Sequence, residues 1–126
     1  MSAPVFLIPD WPAPANVRAA ISTRAGGVSQ GAYADFNVAG HVGDDPVAVS
    51  TNRDILQQAL QLPEQPVWFT QVHGVDVLRH DGVTTCNPAL EYDACYSNQL
   101  GKVCAVMTAD CLPVLFCSRN GMEVAA

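Results

Sequence analysis

Basic charge is scarce in this sequence of 126 residues, with six Lys and Arg against twelve Asp and Glu and a net charge of −6. That balance argues against an electrostatic grip on nucleic acid or on anionic membranes, although one or two local arginines can still hold a small anion. Charge of either sign is thin at 14%, whereas 49% of the residues are hydrophobic, which leans toward a buried and self-associating surface. No apolar run approaches the ~20 residues that a membrane helix requires. Met1-Ser2-Ala3-Pro4 shows no basic region followed by an apolar stretch, so no signal peptide is expected. The five cysteines (Cys86, Cys95, Cys104, Cys111 and Cys117) form no CxxC pair and no even framework. They read as reduced thiols, and the expected location is the cytoplasm. A length of 126 residues suits one domain or one piece of a larger one.

Glycine and proline punctuate the chain instead. Pro9, Pro12 and Pro14 make the start irregular, and Val17 to Thr23 alternates loosely as a strand. Arg24 to Asp45 follows with five glycines and no regular pattern, and structureless stretches of that length are usually functional. Asp45-Pro46 is a helix start, a carboxylate at the N-cap with proline behind it, and the helix should run to about Leu62 before Pro63. One face of it carries Ala48, Val49, Asn52, Ile55, Leu56, Ala59 and Leu60. Asn52 breaks that apolar stripe and Arg53 sits on its shoulder. They either bind a substrate or serve the fold, as an amide capping a neighbouring loop and a guanidinium snorkelling to water. Asn52 should in either case be buried and hydrogen-bonded.

Further strands are expected at Val67–Val72, Val75–Arg79, Val103–Met107, Leu112–Cys117 and Met122–Ala126, the third and fourth buried on both faces. With one clear helix among strands, the fold class is mixed α/β, a multilayer sandwich with a mixed sheet, incomplete because the last strand ends in mid-pattern.

Only three histidines are present. His73 lies at the end of an expected strand beside Gly74, and Cys111 lies in Thr108-Ala109-Asp110-Cys111-Leu112-Pro113, again at a strand end, where sheet-based folds place their sites. Imidazole and thiolate are donors that zinc prefers, and they are also the base and nucleophile of a cysteine hydrolase. Spacing alone does not choose between these, nor between them and structural roles. Arg24 and Arg53 are candidates for holding phosphate, since a guanidinium matches its oxygens bidentately, and glycine-loop N–H groups can add donors. His41 lies in the glycine-rich loop, where it can orient a substrate. His80, beside Asp81-Gly82, reads as a solvated turn residue. Asp93, Asp110 and Gln71 are candidates for supporting groups around His73 and Cys111, with ordinary turn positions as the alternative. Cys86, Cys95, Cys104 and Cys117 read as small core or surface residues.

Taken together, Ser22-Thr23-Arg24-Ala25-Gly26-Gly27-Val28-Ser29, His41-Val42-Gly43-Asp44-Asp45-Pro46, Asn52-Arg53, Trp68-Phe69-Thr70-Gln71-Val72-His73-Gly74 and the run from Cys104 to Val114 resemble the laccase-domain family, also called the YfiH-like or polyphenol oxidase family. The resemblance implies purine nucleoside phosphorylase activity, with adenosine deaminase and methylthioadenosine phosphorylase activities in the same pocket. It also implies a zinc site of two histidines and a cysteine. His73 matches the first histidine ligand and Cys111 the cysteine. The other histidine belongs to a His-Ala-Gly-Trp-Arg stretch that would follow Ala126, so the chain resembles the N-terminal portion, roughly half, of a single laccase-type domain.

A catalytic zinc keeps three protein ligands, so two leave it poorly held. Residues 1–126 alone are therefore expected to bind zinc weakly and turn over little nucleoside, and to associate with a missing C-terminal half or a second copy. His41 and His80 match no ligand of the family. A true laccase is excluded on the same count, because its several coppers need many histidines, although copper can occupy the His73/Cys111 pair adventitiously. Two other readings stand beside the phosphorylase: a cysteine hydrolase of the peptidoglycan-precursor type, with Cys111 as nucleophile and His73 as base, and an inert or partner-binding half-domain.

Overall fold

The computed structural model describes residues 2–82 and 90–126, and Cys86 lies outside them. The fold is mixed α/β, as the sequence implies, and it divides into two compact units. The first comprises residues 1–10 and 19–65, the second residues 11–18 and 66–126.

In the first unit, strand β1 (Phe6–Leu7) pairs antiparallel with β2 (Ile21–Ser22), a shorter strand than Val17–Thr23 led one to expect. Helix α1 (Pro46–Leu60) carries the strongest local signals and forms where they place it. Asp45 Oδ1 accepts the Val47 N–H at 3.0 Å, and Pro46 starts the first turn without needing a donor. At the other end Gln61 takes a left-handed conformation (φ 52°). The N–H groups of Gln61 and Leu62 donate to Gln58 O and Gln57 O, so the orphan carbonyls are satisfied two residues earlier than Pro63 would have required. The buried face of α1 holds Val49, Asn52 and Leu56, and Phe36 is buried in the same unit with its ring edge-on to Phe6.

The second unit is built on a four-stranded sheet in the order β3-β4-β6-β5, where β3 is Val77–Arg79, β4 Ala94–Ser97, β5 Phe116–Cys117 and β6 Val124–Ala125. β3 and β4 run parallel with Val77 opposite Ala94, and the remaining pairs are antiparallel. Its buried residues include Val67, Trp68, Phe69, Cys95 and Ala126, with Phe69 edge-on to Tyr92.

Several expectations fail here for one reason: ladders form by long-range pairing that local pattern does not encode. Val67–Val72 makes only an isolated parallel bridge, Thr70 to Glu91, and Val103–Met107 joins no named strand. β4 arises where no strand was expected. His80 is buried (1% exposed) rather than solvated, because its N–H continues the β3/β4 ladder to Tyr96 O at 2.7 Å. Leu112–Cys117 contributes only Phe116–Cys117 and is not buried on both faces. Leu112, Val114 and Phe116 alternate along it and are 87%, 53% and 60% exposed. β5 lies at the sheet edge, paired only with β6, so one neighbouring strand cannot cover that row.

Candidate functional site

The residues singled out from sequence fall into both units. Arg24, His41, Asn52 and Arg53 belong to the first, and Gln71, His73, Asp93, Asp110 and Cys111 to the second.

In the first unit a polar network organises the glycine-rich loop around Asn52. Its amide is fully buried at 0% exposure. Oδ1 accepts the Val28 N–H at 2.8 Å, and Nδ2 donates to Asn37 O at 2.7 Å and Ser29 Oγ at 2.9 Å, with Asp35 O further off at 3.4 Å. The Ser29 hydroxyl donates in turn to Asp44 Oδ2 at 2.5 Å, and Asn37 Nδ2 donates to the same oxygen at 3.0 Å. These two hydrogen bonds, Ser29 first and Asn37 second, favour the carboxylate and hold the Asp44 pKa below its ordinary value. Gly27 lies so close to Asp35 O, Phe36 Cα and Asn52 Oδ1 that a Cβ there would fall within 2.6 Å of all three, so only glycine fits. With its amide buried and satisfied within the protein, Asn52 fits the alternative of an amide that caps a neighbouring loop.

Both arginines brace the same loop. The exposed Arg24 donates from Nε and Nη2 to Ala34 O at 3.0 and 2.6 Å, which leaves Nη1 as the part of the fork not facing that carbonyl. Arg53 Nε donates to Val38 O at 2.9 Å. The expected anion-binding N–H groups are partly in use: Ala25 N–H donates to Thr23 Oγ1, Val28 N–H to Asn52 and Ser29 N–H to Asp35 O. His41 is exposed in this loop. Ser29, Asn37 and Asp44 were not singled out from sequence. The available signal was the pair Asp44-Asp45, of which only the second is needed as helix cap.

In the second unit His73 is exposed and held at φ 59°, in the left-handed region that few non-glycine residues occupy and that recurs at functional sites. Asp93 holds this turn, its Oδ1 accepting the N–H groups of Val72 (3.1 Å) and His73 (2.6 Å) and its Oδ2 that of Gly74 (2.7 Å). A Cβ on Gly74 would stand 3.2 Å from Asp93 Oδ2, a tight contact that would press on the carboxylate. Cys111 is a free, exposed thiol on the bend Ala109-Asp110-Cys111, and Gln71 and Asp110 are exposed as well. The imidazole and thiol are suitable zinc donors. Among the described residues, however, no three of His, Cys, Asp and Glu gather to hold a metal ion. The residues present do not fit a complete catalytic metal site, and no step of a reaction is assigned to a metal.

A sequence model of the family described as multi-copper polyphenol oxidoreductase laccase matches residues 18–126. The chain belongs to this family. Relatives from Escherichia coli (strain K12) and Shigella flexneri, each named purine nucleoside phosphorylase YfiH, are 53% identical to it over 121 residues, covering 96% of this chain and 49% of theirs. Among solved structures, YlmD from Geobacillus stearothermophilus matches 99% of the chain and 49% of its own with a TM-score of 0.83 at 30% identity. The Neisseria meningitidis protein NMB0706 matches 95% and 48% with a TM-score of 0.80 at 49% identity. The chain thus spans about half the length of these relatives. Among the described residues, no helix is long and apolar enough to cross a membrane.

Proposed function

We propose that this chain is the N-terminal portion of a single laccase-type domain that acts as a purine nucleoside phosphorylase. The observation that carries the reading is 53% identity across 96% of the chain to relatives named for that activity, with His73 and Cys111 both exposed on turns. In phosphorolysis a phosphate oxygen bonds to the anomeric carbon as the glycosidic C–N bond breaks, and the departing purine takes up a proton. His73 is the catalytic imidazole of the site. Cys111 completes the reactive pair, and Gln71 and Asp110 support the turns that carry them. Within the first unit, Arg24, through the part of its fork turned from Ala34 O, and Arg53 are the candidates for attracting phosphate, and His41 is the candidate for contacting the nucleoside.

Adenosine and methylthioadenosine are proposed as further phosphorolysis substrates, and deamination of adenosine as a second, hydrolytic activity. The cofactor proposed is zinc, with copper as the competing ion, held by His73 and Cys111 plus a third ligand expected beyond Ala126. The active form accordingly includes further polypeptide, a C-terminal half or a second copy, and works in the cytoplasm. The exposed row Leu112, Val114 and Phe116 supports such an association. The experiment is an assay of inosine with phosphate by residues 1–126 and by a chain extended through the following hundred or so residues. Ribose phosphate and free base should form with the longer chain and hardly at all with the shorter. Release of base without phosphate dependence would refute phosphorolysis.

A further inference from the structure

Six residues of one chain segment stand opposite two of another at the rim of the second unit's sheet. Thr70 pairs in parallel with Glu91, and Val77 in parallel with Ala94, so residues 71–76 face only Tyr92 and Asp93. The longer segment must therefore loop out between the two pairings. The backbone marks both ends of the loop, with Tyr92 N–H donating to Thr70 O at 3.1 Å and Asp93 N–H to Asp76 O at 2.9 Å. His73 is carried in the middle of it, at φ 59°.

A loop with four surplus residues and exposed side chains has little of its own to fix it. What this one has is the Asp93 carboxylate, which gathers three successive N–H groups with two oxygens, Val72 and His73 on Oδ1 and Gly74 on Oδ2. Three N–H groups pointing to one centre fix the φ and ψ angles between them, including the left-handed one at His73. The side chain of His73 leaves the chain in a direction set by that conformation. Asp93 itself is half-buried and immediately precedes β4, so it is anchored in the sheet rather than in the loop.

We propose that Asp93 is a positioning residue for the reaction. It touches no substrate, but by clamping the backbone of residues 72–74 it sets the direction in which the His73 imidazole is presented to the site. The inference rests on the reading of His73 as the reactive side chain. Its geometry makes a graded forecast. Asp93→Ala removes both acceptor oxygens and with them all three hydrogen bonds. Asp93→Asn keeps one oxygen and presents an amide N–H₂ where the other stood, so it can serve either Val72 and His73 or Gly74, but not both sets.

The test is made on the intact protein with Asp93→Ala, Asp93→Asn and His73→Ala. It combines backbone amide exchange at residues 72–74, thermal melting, and kcat and KM for inosine with phosphate. In Asp93→Ala, amide protection at all three positions should fall tenfold or more. Its kcat should fall by about 10- to 100-fold, the scale of an ångström-sized misplacement, with KM and Tm little changed. Asp93→Asn should recover part of the kcat and keep protection in only one of the two sets. Unchanged kcat in Asp93→Ala, with His73→Ala inactive, overturns the positioning role while leaving His73 in place. Full activity in His73→Ala overturns the proposal together with the reading of His73. Equal falls in Tm and kcat without recovery in Asp93→Asn would show a merely structural carboxylate and also overturn it.

Discussion

Replacing Asn52 by alanine should be among the most damaging single changes in the first unit. The amide is fully buried and its bonds hold three separate points of the glycine-rich loop, Val28, Ser29 and Asn37, to helix α1. Each such bond contributes a net ~0.5–1.5 kcal/mol, and a buried partner left alone costs about 1–3 kcal/mol. Ser29 keeps its bond to Asp44, so the Val28 N–H and the Asn37 carbonyl are the main groups orphaned. The sum is roughly 3 kcal/mol, a large part of the ~5–15 kcal/mol that stabilises an ordinary domain. Urea titration of the intact protein should show the transition midpoint lowered accordingly, with the slope unchanged. Asn52→Asp is the sharper variant. It keeps an acceptor for Val28 but places a second carboxylate oxygen against Asn37 O, so it should be at least as harmful as alanine. A loss below about 0.5 kcal/mol in both variants, the range of ordinary surface changes, would refute the reasoning.

Three other outcomes follow from the same geometry. Asp44 has a lowered folded-state pKa, so its contribution to stability is complete above the ordinary value of 3.8 and disappears as pH falls below that through the folded-state value. The stability difference between wild type and Asp44→Asn should therefore be constant near neutrality and shrink only in acid, as followed by denaturant titration across pH. Arg24→Ala should raise KM for phosphate several-fold more than KM for inosine, as steady-state kinetics would show; equal effects on both would mean the guanidinium only braces the loop. Leu112→Ser with Phe116→Ser, at positions 87% and 60% exposed, should cost residues 1–126 less than about 0.5 kcal/mol while reducing their association in sedimentation.

What was legible in the sequence was what local chemistry controls. Asp45-Pro46 marked the start of α1, and the apolar stripe marked Asn52 as buried, because both depend on residues within a few turns of one another. Phase alone could not say what Asn52 would hold, since Val28 and Asn37 are 24 and 15 residues away. The same limit explains His80. Asp81-Gly82 next to it looks like a solvated turn, yet burial came from Tyr96 on a parallel strand. Asp93 stood out only as a carboxylate near candidates. Its grip on Val72, His73 and Gly74 depends on the 70/91 and 77/94 pairings, which no periodicity announces. The exposed alternation of Leu112, Val114 and Phe116 was misread because an apolar run shows what could be buried, not whether anything covers it.

The most direct measurement of the central claim is the rate of phosphate-dependent base release from inosine by the intact protein, compared with His73→Ala and Cys111→Ala at equal folded concentration. Ribose 1-phosphate and hypoxanthine should form in equal amounts with the native protein. Either substitution should lower kcat by at least about 10², the scale of a lost acid–base group. Undiminished phosphorolysis in both variants, or base release that needs no phosphate, would contradict the account.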